Sequence, residues 1–282
     1  MIKVFQLPFM QYALVASSLI AVLCAFLGVF VVLRRIVFFS AVLAQVSTAG
    51  MALGFLTGLN PTVTGLALTC ATVMLFAFAP FGSKVPQDTI LGISYVAAFA
   101  MSVLIISKAA QGMEELQHLL QGNILTITTG QIYLLSITFI IIGAMHILFH
   151  KEFIFTSFDR EMAETQGYAT NAWNVFLYFS IGLVVALGIR VSGTLLIFAL
   201  LVAPAACALL VLKKMRWIFP VAIIVSLVSV IFGLYFSFRF DLPSGPGIVA
   251  ILIGFLLLAA GARYSGLIKT PSAPARKLKA SG

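Results

Sequence analysis

The sequence predicts an all-α polytopic membrane protein, and its composition and its hydrophobic pattern both lead to that class. Of the 282 residues, 62% are hydrophobic and 9% are charged, with a mean hydropathy of +1.15. A soluble domain of this length cannot bury so much apolar surface. Apolar runs long enough to cross roughly 30 Å of hydrocarbon at about 1.5 Å per residue recur along the chain. We expect eight or nine transmembrane helices.

The nine predicted spans are 9–33, 36–57, 61–81, 88–107, 130–150, 172–189, 193–212, 217–238 and 246–262. Only Arg190, Val191 and Ser192 separate the sixth run from the seventh, so one of these two could be short or re-entrant and the number could fall to eight. The first span is too long for the apolar part of a signal peptide, and we expect it to be retained. Residues 1–266 then form the transmembrane domain, and the basic 267–282 segment is expected to be a disordered cytosolic tail.

The basic residues predict the orientation, because they gather in cytoplasmic loops. Nine spans with an external N-terminus leave only four of the seventeen basic residues outside, namely Lys3, Lys108, Arg190 and Arg239. The net charge of +9 is therefore interpreted as a topology signal, and no nucleic-acid partner is expected. The sequence predicts a multi-pass protein of a bacterial cytoplasmic (inner) membrane with a cytosolic C-terminus.

Residues 40–54 place Gln45, Ser47 and Thr48 inside an almost uncharged span. Polar side chains in hydrocarbon need partners from a neighbouring helix or from a water-filled path, so this cluster is a candidate for the translocation path. Packing between helices is the alternative, and it is the favoured one for serine and threonine. Gln45 is the stronger path candidate.

Two segments on the predicted inner side are candidates for docking a soluble partner. Residues 202–217 place Pro204 in a helix, where it bends the segment, and end in Lys213, Lys214 and Arg216. Residues 158–168 alternate charged and apolar side chains and can form a short amphipathic helix. Ordinary cytoplasmic loops with basic side chains at the membrane interface are the alternative for both segments.

Two features of the predicted outer side could bind a metal. Glu114 and His118 lie four residues apart, on one helical face, and such a pair can share a divalent ion. Two ligands without a third are weak evidence, and an interfacial helix with a solvated polar edge is the favoured alternative. Asp241, in the last external loop, is interpreted as a turn residue.

The sequence argues against several kinds of protein. The three cysteines lie in apolar spans without metal-ligand spacing, and no glycine-rich phosphate loop is present, so any ATP hydrolysis belongs to another chain. The eight acidic residues all lie at span ends or in loops. An ion-coupled carrier would place an ionisable group in mid-span, and a membrane enzyme would need convergent groups at depth. We therefore expect no catalytic residue and no cofactor in this chain.

Several motifs, taken in order, resemble the integral membrane subunits of bacterial ABC importers for zinc, manganese or iron. The resemblance covers nearly the whole chain and rests on Arg34-Arg35, the A-x-x-A-Q block at 41–45, Gly50 and Gly54, Asn60-Pro61, DTILGI at 88–93, Gly167-Tyr168, SGTLLIFALLVAPAACA at 192–208 and DLPSGPGIV at 241–249.

The resemblance implies a permease that forms a homodimer or pairs with a related chain. It further implies two cytosolic ATPase subunits and an extracytoplasmic solute-binding protein. In this family the segment that follows the proline of the ALLVAPAA-like block couples to the ATPase, which corresponds here to residues 205–220, including Ala205. ATP-driven closure of the ATPase pair would then switch the central path between its inward-open and outward-open forms.

One departure from the family pattern concerns the cargo. Typical members have an aspartate and a histidine four residues apart in span two, and the equivalent positions here are Ala41 and Gln45. A bare divalent ion would lose its hydration here with little compensation. Three routes stay open: the ion passes with its water attached, ligands come from elsewhere such as His146, or the cargo is a chelated metal or another small solute.

Overall fold

The structure is a computed structural model that describes residues 8–78, 86–108, 122, 127, 129–158, 160–212 and 214–265. Within these residues the backbone forms ten helices and no strand, which confirms the all-α class. The helices are α1 (Pro8–Leu33), α2 (Val37–Thr57), α3 (Pro61–Phe78), α4 (Gln87–Ile106), α5 (Thr129–Leu148), α6 (His150–Phe158), α7 (Arg160–Thr165), α8 (Thr170–Val211), α9 (Met215–Phe240) and α10 (Ser244–Tyr264).

Eight of the described helices are long and apolar enough to cross a membrane, and only the short α6 and α7 are not. The longest of the eight, α8, has 42 residues and would extend about 63 Å if straight, which is about twice the hydrocarbon thickness. It is interrupted at Gly193, where φ is 78° and ψ is 164°. Only glycine adopts this region of backbone space without strain.

The contacts of α8 show that its two halves lie side by side. A Cβ at Gly188 would stand 2.3 Å from the Cδ1 of Ile197, although residues nine apart on a straight helix are separated by about 13.5 Å. Gly188 also lies beside Ile20 of α1, and Leu201 lies against Gly28 of the same helix. The chain therefore turns back at Gly193, and the described residues form nine apolar segments, so that the alternative of nine spans is the one that the structure supports.

The long helices form two packed groups that share α8. Helix α1 packs against α8 and α9, while α2 packs against α3 and α4, and α8 contacts both sets. Very close approach occurs where α1 meets α8, because a Cβ at Gly28 would lie 1.8 Å from the carbonyl oxygen of Leu201. No side chain larger than hydrogen fits at that position.

Arg34 joins three helices at the end of the bundle where α1 finishes, which we call the Arg34 end. Its Nε donates to the Oγ of Ser157 at 2.8 Å and its Nη2 donates to the Oγ1 of Thr156 at 3.1 Å, both on α6. Its Nη1 donates to the Oδ1 of Asn174 on α8. The planar guanidinium thus orients α6 and the start of α8 against α1.

The predicted amphipathic segment at 158–168 contains one short helix, α7, at the Arg34 end. Met162 and Tyr168 are exposed, Ala163 is buried, and the Oγ1 of Thr170 donates to a carboxylate oxygen of Glu164 at 2.6 Å. The segment is thereby fixed to the start of α8. Glu114, Glu115, His118 and the 267–282 tail lie outside the described residues.

Asp241 lies in the turn between α9 and α10. This residue is exposed, adopts the left-handed conformation with φ of 53°, and ends α9. The backbone N–H of Leu242 donates to the carbonyl of Ser237 at 3.0 Å, and the Ser237 hydroxyl donates to the carbonyl of Leu242 at 2.5 Å. The turn is closed by backbone and serine groups and leads directly into α10.

Candidate functional site

A cavity of about 520 Å³ lies between α2, α4 and the second half of α8. Its wall combines three phenylalanines and three smaller apolar residues with an amide, a phenol and one hydroxyl. The lining residues are Phe38, Ala41, Ala44, Gln45, Tyr95, Phe99, Thr194, Leu195 and Phe198. All nine are neutral, and apolar surface predominates.

Gln45 and Tyr95 form a polar pair in this wall. Gln45 is 7% exposed, and its Nε2 donates to the Tyr95 hydroxyl oxygen at 3.4 Å. Among the described residues, the buried Oε1 of Gln45 has no hydrogen-bond partner. A buried acceptor without a donor costs about 1–3 kcal/mol, so a ligand that donates a hydrogen bond to this oxygen would be favoured.

Ala41 and Gln45 lie one helical turn apart and both line the cavity. They share a face because residues four apart on a helix are neighbours. The two positions at which the chain departs from the family pattern are thus both in the cavity wall, and they offer a methyl group and an amide to whatever occupies it.

The other two candidate path residues on α2 lie elsewhere. Ser47 and Thr48 are both fully buried and neither lines the cavity. Ser47 faces Gly65 of α3, and no described residue forms a hydrogen bond with its Oγ. The Oγ1 of Thr48 donates to the carbonyl of Ala44 at 3.0 Å. The structure brings neither hydroxyl together with Gln45.

His146 lies in an aromatic cluster at the Arg34 end, apart from the cavity. Its ring stacks on Phe153 with centroids 4.3 Å apart, and it also contacts Phe26, Phe30 and Phe176. Its Nδ1 lies 2.9 Å from the carbonyl oxygen of Ile142, and its buried Nε2 has no partner within the described ranges. In the described parts of the chain, no group of three or more His, Cys, Asp or Glu side chains could hold a metal ion.

The predicted coupling segment changes from buried to exposed along its length. Pro204 and Ala205 are buried within α8. The helix ends at Val211, and α9 begins at Met215 with Lys214 and Arg216 exposed on either side of that residue.

The exposed part of this segment carries a cation against an aromatic ring. The guanidinium carbon of Arg216 lies 5.6 Å from the ring centroid of Trp217, which is 51% exposed. Lys213 lies outside the described residues. The described part is an exposed basic and aromatic surface at the Arg34 end.

Tyr95 and Thr194 are site residues that the sequence analysis did not single out. Tyr95 is the only tyrosine of the fourth apolar run, and Thr194 follows the interruption at Gly193 directly. A phenol in the middle of an apolar span was a usable signal, since such a group usually finds a hydrogen-bond partner when it is buried.

The multi-pass helical bundle, the polar pair in the wall of a half-open cavity and the exposed basic segment at one end are features expected of an integral membrane permease. The chain belongs to the ABC 3 transport family, which matches residues 6–262. The sequence-based resemblance to permease subunits of metal-type ABC importers is thereby confirmed.

Two similar relatives and one solved structure agree with this family. The chain is 31% identical over 246 residues to the manganese transport system membrane protein MntC of Listeria monocytogenes, which covers 87% of this chain and 88% of the relative. It is 28% identical over 237 residues to the high-affinity zinc uptake system membrane protein ZnuB of Haemophilus influenzae, which covers 84% and 91%. The fold matches PsaBC from Streptococcus pneumoniae, solved in complex with a Fab, with a TM-score of 0.82 and 24% identity over 92% of this chain and 93% of that one.

Proposed function

We propose that this chain is the membrane-spanning subunit of an ATP-driven importer for a transition metal, with manganese, zinc and iron as the candidates. The observation that carries the proposal is the buried, unsatisfied Gln45 amide in the wall of a cavity between α2, α4 and α8. A permease needs an interior site that binds cargo weakly, and a polar pair in an apolar wall provides one. The relatives that transport manganese and zinc supply the cargo class.

The energy for transport comes from other chains in this proposal. Two ATPase subunits hydrolyse ATP on the cytosolic side, an extracytoplasmic binding protein delivers the cargo, and the permease pairs with itself or with a related chain. The exposed segment that contains Lys214, Arg216 and Trp217 is the proposed contact with the ATPase. Arginine and tryptophan are enriched at protein interfaces.

The second half of α8 provides a mechanical link between that contact and the cavity. Thr194, Leu195 and Phe198 lie in the cavity wall, and the same helix continues to Val211 beside the exposed segment. A displacement of the segment by the ATPase would move a rigid helix whose other end forms part of the cargo site. This is a rigid-body switch between two packed states and requires no bond chemistry in this chain.

Reconstitution tests the proposal directly. Proteoliposomes with the permease, its ATPase and its binding protein should accumulate manganese, zinc, iron or chelated iron only when ATP is supplied. Vesicles that contain a catalytically inactive ATPase serve as the control. Uptake by the permease alone, without nucleotide or companions, would contradict the proposal and support an ion-coupled carrier.

A further inference from the structure

The cavity lining raises the question of the chemical form in which a metal could occupy it. A first-row divalent ion in a protein is usually held by carboxylate, imidazole or thiolate groups. Among the side chains of its nine described lining residues, only the Gln45 amide, the Tyr95 phenol and the Thr194 hydroxyl have an oxygen atom that could coordinate a metal. Three neutral oxygens do not replace the hydration shell of a bare dication.

The structure also removes His146 as a source of the missing ligand. Its ring is enclosed by phenylalanines of α1, α6 and α8 at the Arg34 end, and it is absent from the cavity wall. With His146 outside the cavity wall, two of the routes that stay open keep ligands on the metal, either as bound water or as a chelate.

The size and character of the cavity fit a metal that retains its ligands. Six water molecules occupy about 180 Å³ at roughly 30 Å³ each, and the cavity of about 520 Å³ admits such a shell or a small organic one. Cavities of this size with mostly apolar walls and a few polar groups are typical of sites for small molecules. The faces of Phe38, Phe99 and Phe198 can attract a positively charged complex.

The polar pair can recognise the outside of such a ligand shell. A donor from the shell would satisfy the Oε1 of Gln45 after a rotation of the amide, and the Tyr95 hydroxyl can donate its own proton while it accepts the Gln45 bond. Whichever way the amide is turned, one of its two polar atoms is left for the ligand. The amide of a glutamine can form a hydrogen bond with a donor or an acceptor of the ligand shell. A carboxylate in its place would compete with the shell for coordination of the metal.

We infer that the Gln45–Tyr95 cavity binds a metal complex with its coordination shell intact, through contacts from these two side chains to the shell and not to the metal. The inference rests on the proposed function for the identity of the cargo as a metal. The shell is either water or a small organic chelator, and both present hydrogen-bonding groups to the same pair.

Exchange-inert cobalt complexes test the inference, because they cannot give up their ligands to the protein. Hexaamminecobalt(III) imitates a hydrated cation, and neutral tris(glycinato)cobalt(III) imitates a chelate. Equilibrium dialysis against the purified full-length chain in lipid nanodiscs, with cobalt measured by mass spectrometry, gives the affinity for each. We expect at least one complex to bind saturably, and the one that binds identifies the type of shell.

Variants of the polar pair connect this binding to the cavity. Gln45→Met keeps the length of the side chain and should weaken binding about tenfold or more, because it removes a hydrogen bond to a ligand shell polarised by its metal. Tyr95→Phe removes a single hydroxyl and should weaken binding several-fold. Ser229→Ala serves as the matched control, because its hydroxyl donates to Val225 on α9 and lies outside the cavity wall.

Two outcomes would overturn the inference. In the first, neither inert complex binds to the wild-type chain, whether or not manganese(II) alone does. In the second, a complex binds Gln45→Met as tightly as the wild type. Because the dialysis needs no ATPase, its result is separate from that of the reconstitution. ATP-driven uptake of manganese without binding of an inert complex would refute this inference alone, and absence of ATP-driven uptake of any metal would refute the proposed function.

Discussion

The side chain at position 45 shows how one residue type sets the chemistry of a site. A glutamine places a neutral donor and acceptor where a histidine would place a metal ligand, and Ala41, one turn earlier, adds only a methyl group. The surrounding wall is aromatic and aliphatic, so the amide is the principal source of specific hydrogen bonding there, together with Tyr95. The site is therefore suited to recognise the hydrogen-bonding groups of a ligand more than its charge.

Gly193 is the residue on which the turn within α8 depends, and Gly193→Ala should destabilise the protein. A side chain at φ of 78° and ψ of 164° costs about 1–3 kcal/mol. The free energy of unfolding, measured by titration with sodium dodecyl sulfate, should fall by that amount. Gly254→Ala is the control, because a Cβ there meets no atom of the described residues within 4 Å and the position is helical, so stability should rise slightly. Equal stability of the two variants would contradict the strained turn.

His146 is interpreted as a packing residue, and His146→Phe should leave metal uptake unchanged. The substitution keeps an aromatic ring stacked on Phe153 and removes the buried Nε2 that has no partner. Stability should therefore be equal to or higher than that of the wild type.

The companion variant His146→Ala, which leaves a cavity, should lose about 3 kcal/mol. Thermal denaturation and uptake measured on the same preparations check both expectations. A stable His146→Phe variant that fails to take up metal would restore this histidine as a candidate ligand.

The guanidinium of Arg34 connects helices α1, α6 and α8 at one end, and Arg34→Lys should loosen that connection. Lysine keeps the charge but not the planar arrangement of donors that reaches Ser157, Thr156 and Asn174 together. We expect a loss of about 1–3 kcal/mol in the free energy of unfolding, since bonds from a charged donor are left unmade. Arg35→Lys, at the exposed neighbouring position, should be close to neutral. An Arg34→Lys variant as stable as the wild type would mean that the contribution is charge alone, and comparable losses in both variants would contradict a specific role for the Arg34 hydrogen bonds.

The break between α8 and α9 is the element proposed to meet the ATPase, and reversal of its charge should uncouple transport. The double variant with Lys214→Glu and Arg216→Glu should insert normally and lower ATP-driven uptake by at least roughly tenfold, because like charges at a docking surface are repelled. ATP hydrolysis and uptake are measured in the same proteoliposomes. Arg239→Glu, exposed at the other end of α9, is the matched control. Wild-type coupling in the double variant would exclude this segment as the contact.

For the whole molecule, the antiparallel halves of α8 and the distribution of basic residues together predict which ends share a side of the membrane. Cysteines placed at Leu59 and at Lys214 in a background without the native cysteines should react differently with a membrane-impermeant maleimide. Leu59, exposed in the turn between α2 and α3, should be labelled in intact cells, and Lys214 only after permeabilisation. Labelling of both positions from the same side would refute nine crossings with a cytosolic C-terminus.

The long helices were predictable because each is a local property of the sequence. The predicted span 36–57 corresponds to α2 (Val37–Thr57), and the span 217–238 lies within α9 (Met215–Phe240). Length and hydrophobicity over about twenty residues decide whether a segment crosses the membrane, and no distant contact is needed. The turn within α8 was harder to locate, because its position depends on a backbone conformation at Gly193 and not on the polar link at 190–192.

The site on α2 was only partly predictable for a related reason. Every residue from Phe39 to Ala52 is buried, so the helix has no polar face from which to infer direction. The residue types favour Gln45 over Ser47 and Thr48 as a path residue, and of the three only Gln45 lies in the cavity wall. Tyr95 and Thr194 join it from helices that are distant along the chain.

The sequence by itself determined that this protein is a helical membrane bundle, where its long helices lie, and that it resembles metal-importer permeases. Hydrophobic runs and local motifs are properties of neighbouring residues and can be recognised without the tertiary structure. Only the tertiary structure decided that α8 turns back at Gly193, that His146 is enclosed among phenylalanines, and that Gln45 faces Tyr95 across a neutral cavity. Those facts depend on which faces of separate helices meet, and close packing between distant segments sets that arrangement.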